Sequence, residues 1–281
     1  MRNFLLMAIA VATITACEDG TALSPELETK SVVFTVQGDF SIATTPFTRS
    51  LVADGKEMTD IWAFDYMDGE LVTTCHQTST DDGFGQVALN MKRGTHRICF
   101  VASRGKTPAV EGNNITWEVP SDTFWQAVDM EVTASSGASR TVALDRAVTK
   151  LRLTITDAII EGVRSLVVLP ATWHTGLNVL TGEPTTAVSG HSVSMALADT
   201  YEGKTGVAAA IFGFSSDSEW TTDVSVQARA EDGTVLGFAD IADVPLLRNR
   251  STELSGPLFS GSGVMSVELT TDWSAAHEGT W

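Results

Sequence analysis

The chain has 281 residues, of which 43% are hydrophobic, 19% charged and 7% aromatic, and it carries 18 Lys and Arg against 35 Asp and Glu. That apolar content is enough for a packed core and excludes wholesale disorder, while a formal charge of −17 argues against nucleic acid as a partner. The one long apolar run stands at the N-terminus, which excludes a multispanning membrane protein, and the length allows one large domain or two ordinary ones.

Residues 1–16 read as a signal peptide: Arg2, then an apolar run from Phe4 to Ala12 that is too short to span a bilayer. The run closes on Ile14-Thr15-Ala16-Cys17, which resembles the bacterial lipobox. Small residues before the scissile bond and a thiol behind it predict cleavage ahead of Cys17 and lipidation of its sulfur. Acyl chains there would hold the protein in the outer membrane, each buried methylene contributing about 0.8 kcal/mol. An ordinary secretory signal with an incidental Cys17 is the alternative. Glu18-Asp19-Gly20 resembles the acidic stretch that directs Bacteroidales lipoproteins to the cell surface, and residues 17–29, polar with Pro25, read as a tether.

Beyond the tether, alternation with period two recurs. Val32, Phe34 and Val36 form one apolar face, and Leu151, Leu153 and Ile155 another. Val224, Val226 and Ala228 repeat the pattern, as do Met265, Val267 and Leu269. These predict strands of half-buried antiparallel sheets. Asp68-Gly69, Arg93-Gly94 and Asp232-Gly233 stand between such runs and predict hairpins, because those residues accept the positive φ of tight turns. Val207–Gly213 reads as a buried strand, being short and closed by Gly, and no longer helical stripe occurs. The fold class is all-β. Two antiparallel β-sandwich domains in tandem suit the length, residues 30–145 and 146–281, with the joint near Asp145.

Local chemistry is sparse. Gly105-Lys106-Thr107 and Gly203-Lys204-Thr205 lack the earlier Gly of a phosphate loop, since those positions hold Phe100 and Ala198. No Gly-x-Ser-x-Gly elbow or His-Glu-x-x-His pair occurs, so no catalytic residue and no cofactor is assigned. Carboxylates are abundant, but a sequence does not give the separation of about 5–10 Å that glycoside hydrolysis needs. Cys75, His76, His96 and Cys99 invite a zinc site, yet strand parity turns Cys75 away from His76 and His96 away from Cys99. Two readings of the cysteines stay open: a Cys75–Cys99 disulfide, suited to an oxidising compartment, or two buried thiols. Of the Trp residues, Trp62 reads as core, whereas Trp117, Trp125 and Trp220 flank polar loops and are candidates for a glycan-stacking platform.

Three segments together resemble the fimbrillin-like and fimbrial-anchor lipoproteins of Bacteroidales, the subunits of type V pili. They are Thr48-Arg49-Ser50 followed by residues 58–65 (MTDIWAFD), then 144–153 (LDRAVTKLRL), then 244–259 (VPLLRNRSTELSGPLF). The resemblance implies two transthyretin-like sandwiches and a non-enzymatic structural subunit of surface fimbriae. Such subunits support adhesion and join other fimbrial subunits by β-strand addition. It also implies a proteolytic cut after an Arg that strips the first strand, for which Arg49 is the matching residue. Arg49 reads equally as a plain surface residue of an uncut anchor. The stretch from Val264 to Trp273 is either a strand donor or an ordinary edge strand. A surface glycan-binding lipoprotein of a polysaccharide-uptake system is the alternative function.

Overall fold

The computed structural model describes residues 29–38, 52–53, 56–104, 107–260 and 264–270. In chain order, the strands of the first half begin with β1 (Thr29–Gly38) and a two-residue pair, β2 (Val52–Ala53) and β3 (Lys56–Glu57). There follow β4 (Asp60–Met67), β5 (Glu70–Thr78), β6 (Gln86–Lys92) and β7 (Gly94–Ser103), then β8 (Ala109–Glu111), β9 (Asn114–Thr116), β10 (Phe124–Val132) and β11 (Ser139–Arg146). The second half opens with β12 (Val148–Ile155), β13 (Ser165–Pro170), β14 (Thr172–Trp173), β15 (Gly176–Asn178), β16 (Val188–Ser189) and β17 (Val193–Ala196). It ends with β18 (Val207–Phe214), β19 (Trp220–Arg229), β20 (Val235–Leu246), β21 (Ser251–Gly256) and β22 (Ser266–Thr270). Among the described residues the only helical element is a 3-10 turn at Asp199–Tyr201. The all-β expectation therefore holds.

In the first half a seven-stranded sheet runs β5-β4-β7-β10-β11-β1-β6. β10 and β11 pair only at Phe124–Arg146 and Trp125–Asp145, and beyond that point the sheet closes over itself. The alternating residues Val32, Phe34 and Val36 of β1 then meet Ile61 and Ala63 of β4 and Ile98 and Phe100 of β7 in one core. In the second half, a sheet of order β18-β12-β21-β22 faces another of order β17-β13-β19-β20. Leu151, Leu153 and Ile155 meet Val224, Val226 and Ala228 in a second core around the fully buried Trp173. Gly213 admits that indole, for a Cβ there would lie 2.5 Å from the Trp173 ring.

A third apolar cluster joins the halves. The outer faces of β4 and β7 contribute Trp62, Phe64, Tyr66, Cys99 and Val101, and the second half contributes Leu177, Val179 and Phe214. A small sheet of order β15-β9-β8 covers them, pairing Gly176–Asn178 with Asn114–Thr116. Trp117 stacks on Phe214 at 5.2 Å, and the Trp125 indole donates to the Val179 carbonyl at 2.8 Å. With a dozen side chains wholly or nearly buried there, the two halves share an interior rather than a wet contact.

One expected hairpin is not formed. Asp68-Gly69 links the paired strands β4 and β5, with φ of 54° and 84°, and Asp232-Gly233 links β19 to β20. Arg93-Gly94, by contrast, connects β6 to β7, which lie in different layers: β6 pairs with β1, and β7 with β4 and β10. Gly94 has a φ of 139° because the chain turns a corner between layers, not because it closes a ladder.

Candidate functional site

β1 occupies an unusual place for a strand so near one end of the described chain. It lies between two partners, antiparallel to β6 over Thr29–Thr35 and parallel to β11 over Val33–Gly38. Its three inward side chains, Val32, Phe34 and Val36, are buried, and the Phe34 ring meets Phe100 at a centroid distance of 5.2 Å. Lys30 donates from Nζ to the carbonyls of Ala134 and Ser136, tying the start of the strand to the loop between β10 and β11. Val36 N–H donates to the Gly85 carbonyl at 2.8 Å. Removed, β1 would leave two open strand edges flanking a slot with apolar pockets at alternate positions. At about 1.5–3 kcal/mol for each buried apolar side chain, its three core residues alone represent roughly 4–9 kcal/mol, comparable with the whole stability of a domain.

The two later segments that carry the family resemblance meet at the junction of the halves. β12 runs parallel to β21, pairing Lys150 with Ser251 and Leu153 with Leu254. Arg146 grips the buried Asp122 through Nε at 2.7 Å and Nη2 at 3.0 Å, and donates from Nη1 to Asn249 at 3.3 Å. Asn249 has a φ of 54°, and its N–H donates to the Val148 carbonyl. Arg248 donates to the carbonyls of Ser215 and Gly182. These basic residues therefore clamp the junction and present no free cationic surface. The likeness that picks out these two segments carries no sign that they touch.

Cys75, His76, His96 and Cys99 do not converge. Cys75 stands opposite Ala63 and Cys99 opposite Phe64, successive residues of β4, so the two sulfurs lie on opposite faces of one sheet. Cys75 points into the first core; Cys99 is a free thiol in the cluster between the halves, and burial pushes its pKa up to about 12. The Cys75–Cys99 disulfide is thus corrected by side-chain parity, the same rule that separates each cysteine from its neighbouring histidine. His76 stacks on Trp62 at 4.5 Å and meets Asp60 at 2.8 Å near the surface. His96 is buried inside the first core with Nδ1 at 2.7 Å from Asp65, whose carboxyl is pushed up by burial and whose Oδ2 has no partner among the described residues.

The tryptophans are structural where described. Trp62, Trp117 and Trp173 are buried, while Trp125 and Trp220 are half-buried. Trp117 departs from expectation: its polar flanks suggest exposure, but the Phe214 and Trp62 rings pack against it. Cys17, Arg49, Trp273 and Trp281 lie outside the described residues.

Residues 111–280 match a family of unknown function, DUF6562. The chain belongs to this family. No curated protein matches this DUF6562 chain. Its fold is similar to that of a candidate adhesin from Bacteroides ovatus, at a TM-score of 0.53 and 11% identity over 81% of this chain and 88% of that one. A second candidate adhesin from Bacteroides ovatus gives a TM-score of 0.50 at 8% identity, covering 90% of this chain and all of that one, 100%. A fimbrial assembly protein from Parabacteroides distasonis gives 0.46 at 12% identity, over 86% of this chain and 95% of that one. At such identities the likeness is one of fold. The matched family spans the second half and the junction, leaving β1 to β7 outside it.

Proposed function

We propose that this DUF6562 protein is a non-enzymatic structural subunit of surface fimbriae that supports adhesion and joins its neighbours by β-strand addition. In this reading it is built of two transthyretin-like sandwiches, residues 30–145 and 146–281. Cys17 carries the lipid that tethers the precursor in the outer membrane, and a cut after Arg49 frees β1 for replacement. The observation that carries the reading is the placement of β1. It is wedged between β6 and β11 and supplies buried side chains at alternate positions, and the chain that leads from it to the rest of the fold passes through residues 39–51, which contain Arg49. A strand from another subunit with the same alternation would restore both ladders and refill the pockets. The candidate adhesins of Bacteroides ovatus that share the fold agree with this role.

The donor would be the stretch from Val264 to Trp273. In the isolated chain β22 pairs with β21 as an edge strand of its own sheet, with Met265 buried and Val267 largely exposed. Among the described residues it is held on one side only, which is the condition under which a strand can be given up. The test is N-terminal sequencing of protein recovered from the cell surface, with heat-resistant ladders as a second readout. Ser50 at the N-terminus together with ladders is expected. A chain still beginning at Cys17 in assembled material would overturn strand exchange at β1, and protein lacking a lipid at Cys17 before assembly would overturn the tether.

A further inference from the structure

Among the described residues the second core is open on one side. β20 and β22 are edge strands of the two facing sheets, and between them runs a groove of about 770 Å³ along Val235–Ala242. Its floor is Leu258 and Phe259, packed so closely on β20 that a Cβ at Gly237 would lie 2.8 Å from both. That floor is fixed in place, because the Asp157 carboxylate accepts the N–H groups of Leu258, Phe259 and Ser260 at 2.8–2.9 Å. The far wall carries Met265 and Val267. On the outward face of the β20 edge, Phe238 is 60% exposed and is followed by Asp240 and Ala242.

The charge of this edge is one-sided. Asp240 makes no ion pair among the described residues, and its neighbours across β19 and along β20 are Ser225, Gln227 and Asp243, with no cation among them. Any strand laid along β20 would set one outward side chain opposite Asp240. It would turn its alternate side chains inward, between β20 and the Met265–Val267 wall.

We infer that the β20 groove is a second strand-accepting site, and that its occupant is an extended segment of a partner protein with apolar residues at alternate positions and a Lys or Arg between them. Backbone hydrogen bonds to the free edge supply affinity, the inward side chains fill the groove, and the cation opposite Asp240 sets register and excludes acidic strands. The site differs from the slot of β1: it lies in the other half and is open with β1 in place.

The experiment uses the full chain, uncut, and two synthetic peptides of about ten residues. Both carry Val and Leu inward, and they differ only in Lys against Glu at the central outward position. The Lys peptide is expected to bind, to protect outward amides of residues 235–242 from hydrogen exchange, and to exceed the Glu peptide by about tenfold in affinity. Asp240→Lys, an exposed substitution that leaves both cores untouched, should reverse the preference. Failure of both peptides to bind, or equal binding unaffected by D240K, would overturn the inference. So would protection of 235–242 that rises with protein concentration alone, which would assign the groove to a second copy. Binding seen only after deletion of residues 271–281 would assign it to the chain's own tail. None of these outcomes depends on cleavage at Arg49, so strand exchange at β1 stands or falls separately.

Discussion

β1 and β22 alternate apolar with polar residues in the same way, yet the fold uses them differently. β1 has a ladder on each side and buries Val32, Phe34 and Val36 in the first core. β22 has a ladder on one side, buries Met265 just ahead of it, and leaves Val267 at 39% exposure beside an open groove. A period-two pattern specifies that a segment lies on a sheet with one apolar face; it does not specify how much of that face is covered. The difference in burial, not in pattern, makes one strand structural and the other expendable.

The sharpest challenge to this contrast is Phe34→Ala. Emptying a fully buried aromatic site is expected to destabilise the first half by about 3–5 kcal/mol, read as lost hydrogen-exchange protection in β6 and β11. A loss under 1 kcal/mol would mean that β1 is as loosely held as β22, and the slot argument would fail with it. Because the halves share a buried cluster, exchange measured strand by strand is more informative than one unfolding midpoint.

The second test moves to the groove floor. Burial pushes the Asp157 carboxyl up, but the N–H donors of Leu258, Phe259 and Ser260 together outweigh it and hold the pKa below the ordinary 3.8. A carboxyl whose folded pKa is depressed adds stability above its unfolded pKa and loses it as pH falls through the folded one. The second half should therefore weaken in acid below about pH 4, and Asp157→Ala should remove that dependence. Losing hydrogen bonds to a charged group at a half-exposed site is expected to cost about 1–2 kcal/mol at neutral pH, read from denaturant curves. An unchanged acid profile in the variant would show that the loop is held by Leu258 and Phe259 packing alone.

Much of this is legible in the residues alone. The strands at 32–36, 151–155 and 224–228 follow from alternation, and the turns at Asp68-Gly69 and Asp232-Gly233 follow from residues that accept positive φ. What stayed hidden depends on distant partners. Arg93-Gly94 looks like a hairpin because turn chemistry is local, whereas the pairing of β6 with β1 is settled by a strand more than fifty residues upstream in the ladder register, Thr29 with Lys92. Trp117 reads as exposed because Glu118 beside it is polar, but its cover arrives from the distant rings of Phe214 and Trp62. The parallel pairing of β1 with β11, which makes the slot, has no sequence signature at all: it joins Val33 to Ser139. Cys75 and Cys99 could be separated only once both were referred to the same strand, β4.

The smallest expected effect is the most demanding of the comparison. Val267→Thr keeps the β-branched shape, keeps the ladder to Leu254 and replaces one methyl by a hydroxyl at a site open to the groove. If β22 is as lightly held as its exposure implies, the change should fall within about 0.5 kcal/mol in a denaturant titration. The equivalent Val36→Thr in β1 places its hydroxyl in a buried site and should cost several times more, since an unpaired buried hydroxyl costs about 1–3 kcal/mol. Equal costs in the two strands would show that the groove wall is packed from outside in solution. In that case the edge of the second core would already be covered, and β22 would be no freer to leave than β1.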